Sequence, residues 1–284
     1  MQTPWSAGLH RSFAFVDRYA PFRVATRLIR GVCWIFVCWV AIRAAEWAGS
    51  AALRKRIART WNNHMLTIFG MRVKTIGTPP PEPYFLVTNH ITWGDLFVME
   101  SLCDMRCVIQ SEDATFPFLG RLFLGLNPIF SERCADQIPR LVNEMTATIR
   151  AGGNILLAPE GVVGPGRAVR RFRPALLESA VQTDCPVHYA SITCRTPDGY
   201  PPASKVALFG PDPYYRTPDG KIPDSELEAW GPERSFFIHL VKLLALPWHE
   251  FTVRFAPEPI RGTNKIQLAK DLQAAVQSIF TPVA

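Results

Sequence analysis

The chain has 284 residues, 48% hydrophobic and 19% charged, which excludes a disordered polymer and leaves room for one catalytic domain with a full core. The net charge of +7 is uneven: residues 1–75 carry twelve Lys or Arg against two acids, Asp17 and Glu46, so the positive excess is entirely N-terminal. Those cations surround an apolar run, which suits an anionic membrane surface better than nucleic acid.

The apolar run covers residues 31–42, with Arg27 and Arg30 before it and Arg43 after it. As a helix its twelve residues span roughly 18 Å, short of the roughly 30 Å of bilayer hydrocarbon. A longer helix that crosses would place Arg43 and Glu46 in lipid, which is costly. A second stripe follows at helical spacing: Leu53, Ile57, Trp61, Met65 and Ile68, with Arg54, Lys55, Arg56 and Arg59 on other faces. Gly70 is the expected helix stop. Residues 24–69 therefore predict a two-helix hairpin dipping into one leaflet, with a single span as the rival. Positive charge at both ends predicts cytoplasmic ends at the inner membrane. The run starts late and no small-residue cleavage site follows it, unlike a signal peptide. Residues 1–75 form the expected anchoring segment and 76–284 the catalytic domain.

Beyond the hairpin, short apolar runs alternate with helical patterns. Strands are predicted at 72–75, 85–88, 108–109, 129–130, 154–158, 187–192, 205–209 and 251–255. Helices are predicted at 93–102, 118–124, 137–150, 174–181, 235–244 and 265–280. The alternation predicts an α/β fold, a mixed central sheet flanked by helices and preceded by the membrane hairpin. Residues 195–233 are rich in Pro and Gly, with Thr-Pro-Asp-Gly at 196–199 and 217–220, and read as a surface excursion. Seven cysteines show no Cys-x-x-Cys pair and no zinc spacing with the six histidines, so no metal site is expected and a reducing compartment fits.

His90 and Asp95 carry the chemistry. The strand at 85–88 ends just before His90, and an imidazole there can take a proton from a hydroxyl near neutral pH. Residues five apart on one helix point about 140° away from each other. The pair meets only if His90 stands in the turn and Asp95 in the first helical turn. Thr92 suits the N-cap, which makes Thr-x-x-Asp a capping box as well, and one carboxylate can serve both ends.

Asn89-His90 through Asp95 resembles the Asn-His-x4-Asp block of the glycerolipid acyltransferases, the lysophosphatidate acyltransferase family. Three further blocks resemble that family in order: residues 127–133, ending in Arg133; Ala158-Pro159-Glu160-Gly161; and residues 185–190, where Pro186 opens an apolar strand. The resemblance spans residues 85–192. It implies His90 and Asp95 as a catalytic dyad, with Asn89, Arg133, Glu160, Gly161 and Arg173 at the substrate. Arg133 would hold the acceptor phosphate. The aromatic before Pro-Glu-Gly is Ala158 here, and Val162 and Val163 replace the usual hydroxyl residues. The stretch that follows is similar to a bacterial subgroup, some members of which acylate lyso-ornithine lipids.

What the resemblance implies is transfer of a fatty acyl group from an acyl-CoA or acyl carrier protein thioester to a lysophospholipid. The expected acceptor is 1-acyl-sn-glycerol 3-phosphate, giving phosphatidate, with a lyso-ornithine lipid as the alternative. The thioester is a co-substrate, and no cofactor or metal is implied. Two rivals from other classes are a non-catalytic membrane-binding module and a metal-dependent phosphoesterase using His90, Asp95 and Glu160.

Overall fold

Two helices open the described chain: α1 (Ala20–Trp47) and α2 (Ala51–Phe69). The computed structural model describes residues 19–111, 118–132, 135–161, 163–164, 166, 168–197 and 236–282. The turn between the helices uses Gly49 at φ 66° and Ser50, whose hydroxyl accepts the Leu53 N–H at 3.2 Å as an N-cap. Gly70 ends α2 at φ 74°, where a left-handed residue satisfies the last carbonyls. Trp34 packs on His64, and Gly31 lies against Ile68, so the helices run antiparallel.

α1 extends well beyond the twelve-residue run. It continues through Arg43, whose guanidinium pairs with Glu46 at 2.7 Å, and 28 residues make it long and apolar enough to cross a membrane. One face is packed inward through Gly31, Cys38, Ile42 and Ala45, while Phe22, Ile29, Phe36, Val40 and Trp47 are exposed.

The remaining elements build one sheet. Its strands are β1 (Met71–Ile76), β2 (Phe85–Thr88), β3 (Arg106–Gln110), β4 (Ile129–Ser131), β5 (Ile155–Leu157), β6 (Val187–Arg195) and β7 (His249–Phe255), ordered β1-β7-β6-β2-β5-β3-β4. Only the β6–β7 pairing is antiparallel, so the sheet is mixed as the sequence predicts. The helices are α3 (Gly94–Leu102), α4 (Leu119–Gly125), α5 (Ile138–Arg150), α6 (Glu178–Gln182), α7 (Phe236–Ala245) and α8 (Lys265–Ile279). The helix expected at 174–181 divides into a 3₁₀ turn (Ala175–Leu177) and the short α6. The strand expected at 205–209 lies outside the described residues.

β2 is the central strand, and all four of its residues are buried. Both faces are covered, which is why Phe85-Leu86-Val87 is continuously apolar instead of alternating. Strand alternation sends Leu86 into one core, with Trp61, Phe97 and Phe251. Phe85 and Val87 enter the other, with Met145, Leu177 and Leu272. The hairpin shares the first core, and Asn62 of α2 donates to the Phe97 carbonyl at 2.9 Å. Arg27 fastens α1 further. Its Nη1 donates to the carbonyls of Leu244 and Leu246, at 3.0 and 2.6 Å, and its Nη2 to that of Pro247 at 2.9 Å. These bonds cap the end of α7, whose last carbonyls lack helical partners.

Candidate active site

The site forms where parallel strands end. Val87 pairs with Leu157 and with Tyr189, so the segments after β2 and β5 leave the sheet side by side. Ligands of open α/β sheets bind at such carboxyl ends. His90 follows β2 by two residues and Glu160 follows β5 by three.

His90 Nδ1 and Asp95 Oδ2 lie 2.9 Å apart. The same oxygen accepts the Ile91 N–H at 2.7 Å and the Thr92 N–H at 3.1 Å. Asp95 is buried, whereas the His90 side chain is 28% exposed, so the carboxylate sits behind the imidazole and the ring reaches solvent. The bond to Thr92 is one half of a capping box. The other half is missing: Thr92 Oγ1 faces the Gly94 N–H at 3.4 Å, and α3 starts after Trp93. Capping and orientation of the imidazole thus share one carboxylate, as the spacing of five allows.

Asn89 and Glu160 both bond to backbone around His90. The Asn89 amide donates to the Ile192 carbonyl at 2.9 Å and accepts its N–H at 2.7 Å, which ties the end of β2 to β6. Glu160 Oε2 accepts the His90 N–H at 2.6 Å, and Oε1 accepts the Arg170 N–H at 2.7 Å. They are 1% and 3% exposed, and both brace the loop that carries His90. Burial pushes the Glu160 carboxyl up to about 8, while the two N–H donors and the Arg170 charge pull it down.

Gly161 has φ 72°, where a side chain is strained, and a Cβ there would meet the Arg173 side chain at 3.4 Å. The Arg173 N–H donates to the Pro159 carbonyl at 2.8 Å, which holds that arginine over the turn. Arg133 and Val162 lie outside the described residues. Val163 is buried. Sequence reasoning missed Gly164, whose N–H donates to the His90 carbonyl at 2.6 Å. Its only signal was membership of a Gly-Pro-Gly turn. Among the described residues, no group of three or more His, Cys, Asp or Glu is arranged to hold a metal ion.

Residues 71–193 match the family model described as Acyltransferase, and the His90–Asp95 pair falls inside them. That stretch, a little under half of the chain, is similar to the acyltransferase family. The chain is 27% identical over 242 residues to a lyso-ornithine lipid O-acyltransferase of Pseudomonas aeruginosa, covering 84% of each chain. It is 26% identical over 168 residues to a 1-acyl-sn-glycerol-3-phosphate acyltransferase of Neisseria meningitidis, covering 57% of this chain and 64% of the other. Its fold resembles the crystal structure of the 1-acyl-sn-glycerophosphate acyltransferase of Thermotoga maritima. The TM-score is 0.53 at 16% identity, over 89% of this chain and 95% of that one.

Proposed function

We propose that this protein moves a fatty acyl group from an acyl thioester to the free hydroxyl of a lysolipid, with His90 as general base. The observation that carries the reading is the 2.9 Å contact between His90 Nδ1 and Asp95 Oδ2. An ionised carboxylate can only accept, so Nδ1 keeps its proton and Nε2 presents a lone pair. Nε2 takes the hydroxyl proton as the acceptor oxygen attacks the thioester carbonyl. The tetrahedral adduct then expels the thiolate, which recovers the proton from the imidazolium. Asp95 holds the ring in this tautomer and steadies its charge. General-base help of this kind is worth about a hundred- to ten-thousandfold in rate. No cofactor enters this scheme; the donor is an acyl-CoA or acyl carrier protein thioester.

Two acceptors compete. Arg133, in its block position, favours the phosphate of 1-acyl-sn-glycerol 3-phosphate. The buried Val163 in place of a hydroxyl residue, and a likeness extending over 84% of the chain, favour a lyso-ornithine lipid. Incubating the purified protein with acyl-CoA and each lysolipid in turn tests both. Product from at least one is the expected result and identifies the head group; product from neither sinks the reading.

The apolar stripe of α1 supports a monotopic seat at the cytoplasmic face of the inner membrane. Ile29, Phe36, Val40 and Trp47 follow Phe22 by 7, 14, 18 and 25 residues, within about 40° of one line on a helix. Leu28, Val32 and Val37 are exposed beside it, so the apolar face is broad; the side carrying Gly31, Cys38, Ile42 and Ala45 is packed on the protein, which favours lying in one leaflet over crossing it.

A further inference from the structure

Glu160 joins two residues eighty positions apart. One buried carboxyl group accepts the backbone N–H of His90 at 2.6 Å and that of Arg170 at 2.7 Å, so it fixes both backbones relative to each other. Gly164 links the same two residues from another side. Its N–H donates to the His90 carbonyl, and the Arg170 stem runs over it, with Cδ 3.4 Å from where a Cβ would stand. That Cβ would also come within 3.3 Å of the His90 carbonyl oxygen, so the absence of a side chain at 164 lets all three segments close together. The neighbours of Arg170 explain why it stays there. Val169 and Phe172 are buried in the core beneath, which anchors the segment and leaves Arg170 half-buried at the site. Its charge reaches the Glu160 carboxyl and draws it toward ionisation.

We infer that the Arg170 guanidinium receives an oxyanion of a substrate, a phosphate or a carboxylate, and so fixes where the reacting group stands relative to His90. A guanidinium is permanently charged, and its planar fork matches such groups through paired N–H donors. Held on a backbone braced to the base itself, it is pre-organised, and small errors in placement are costly in acyl transfer. Arg173, the cation expected from the sequence, packs on Gly161. Glu160 is the positioning residue, because both its oxygens serve the backbones of the base and of the proposed ligand. The inference rests on the acyl-transfer reading above.

The test is steady-state kinetics of Arg170→Gln and Arg170→Lys with 1-acyl-sn-glycerol 3-phosphate, lyso-ornithine lipid and acyl-CoA each varied, alongside thermal melts. Both variants keep the backbone N–H that Glu160 accepts. Arg170→Gln should raise KM for one substrate about ten- to a hundredfold with a much smaller change in kcat, and Arg170→Lys should recover part of it. A rise for an acceptor locates the oxyanion in the lysolipid head group, and a rise for acyl-CoA locates it in the donor phosphates. Unchanged KM for all three in an active protein overturns this inference alone. So does an equal loss in both variants that tracks a lowered melting temperature. A wild-type protein that acylates neither lysolipid overturns the acyl-transfer reading and this inference with it.

Discussion

One oxygen, Asp95 Oδ2, gathers three N–H groups from His90, Ile91 and Thr92, and that convergence fixes the imidazole. Asp95→Asn replaces an acceptor-only group with an amide that cannot enforce the tautomer. Its kcat for lysolipid acylation should fall about a thousandfold, and an undiminished kcat would remove Asp95 from the mechanism. The pair was legible in the sequence because five residues across one turn are a local constraint. The bridge from Glu160 to His90 and Arg170 was not, because it exists only once β2 and β5 are neighbours. Buried carboxyls make a second residue-scale prediction. Burial pushes Glu100 and Glu160 up from 4.5 to about 8. The folded chain then holds protons that the unfolded chain releases between those values. Stability from this source is complete below about 4.5 and is lost as pH rises through 8. The denaturation midpoint should be lower at pH 9 than at pH 6, and Glu100→Gln should flatten the difference. A midpoint that rises over this interval contradicts the assignment.

At the level of elements, periodicity located the helices and strands that fall within the described residues, with boundaries shifted by a few residues. Helix α1 departs most, because its pattern continues through Arg43 once Glu46, one turn on, pairs with it. Nothing local foretold how the hairpin is fastened: Arg27 reaches the end of α7 more than two hundred residues later. Arg27→Ala removes three charged donors from carbonyls that have few alternatives. It should cost about 2–3 kcal/mol, measured by chemical denaturation, and an unchanged stability would show that packing alone holds the hairpin. The exposed stripe gives an independent outcome. Replacing Ile29, Phe36 and Val40 together by Ser should sharply reduce flotation of the protein with anionic vesicles while leaving its circular dichroism unchanged. Flotation equal to wild type would place the membrane contact elsewhere.

Across the whole molecule, the α/β class followed from alternation of elements, but the strand order did not. Pairing β1 with β7 and inserting β2 between β6 and β5 depends on which faces the helices cover, a long-range burial that no short window contains. Yet that order makes the site. It brings the ends of β2 and β5 together beside the middle of β6, so that Asn89 can hold Ile192 and Glu160 can hold His90. The packed hairpin belongs to the same arrangement, since α2 ends at Gly70 beside β1 and shares a core with α3, the helix that carries Asp95. The N-terminal hairpin and the sheet are thus one body built around a single imidazole. The most direct test of the role of that imidazole is the initial rate of lysolipid acylation by wild-type protein and by His90→Ala, in the same vesicles and at equal bound protein. The expected result is a loss of at least a hundredfold with membrane binding retained. A variant that turns over as fast as wild type would contradict the account.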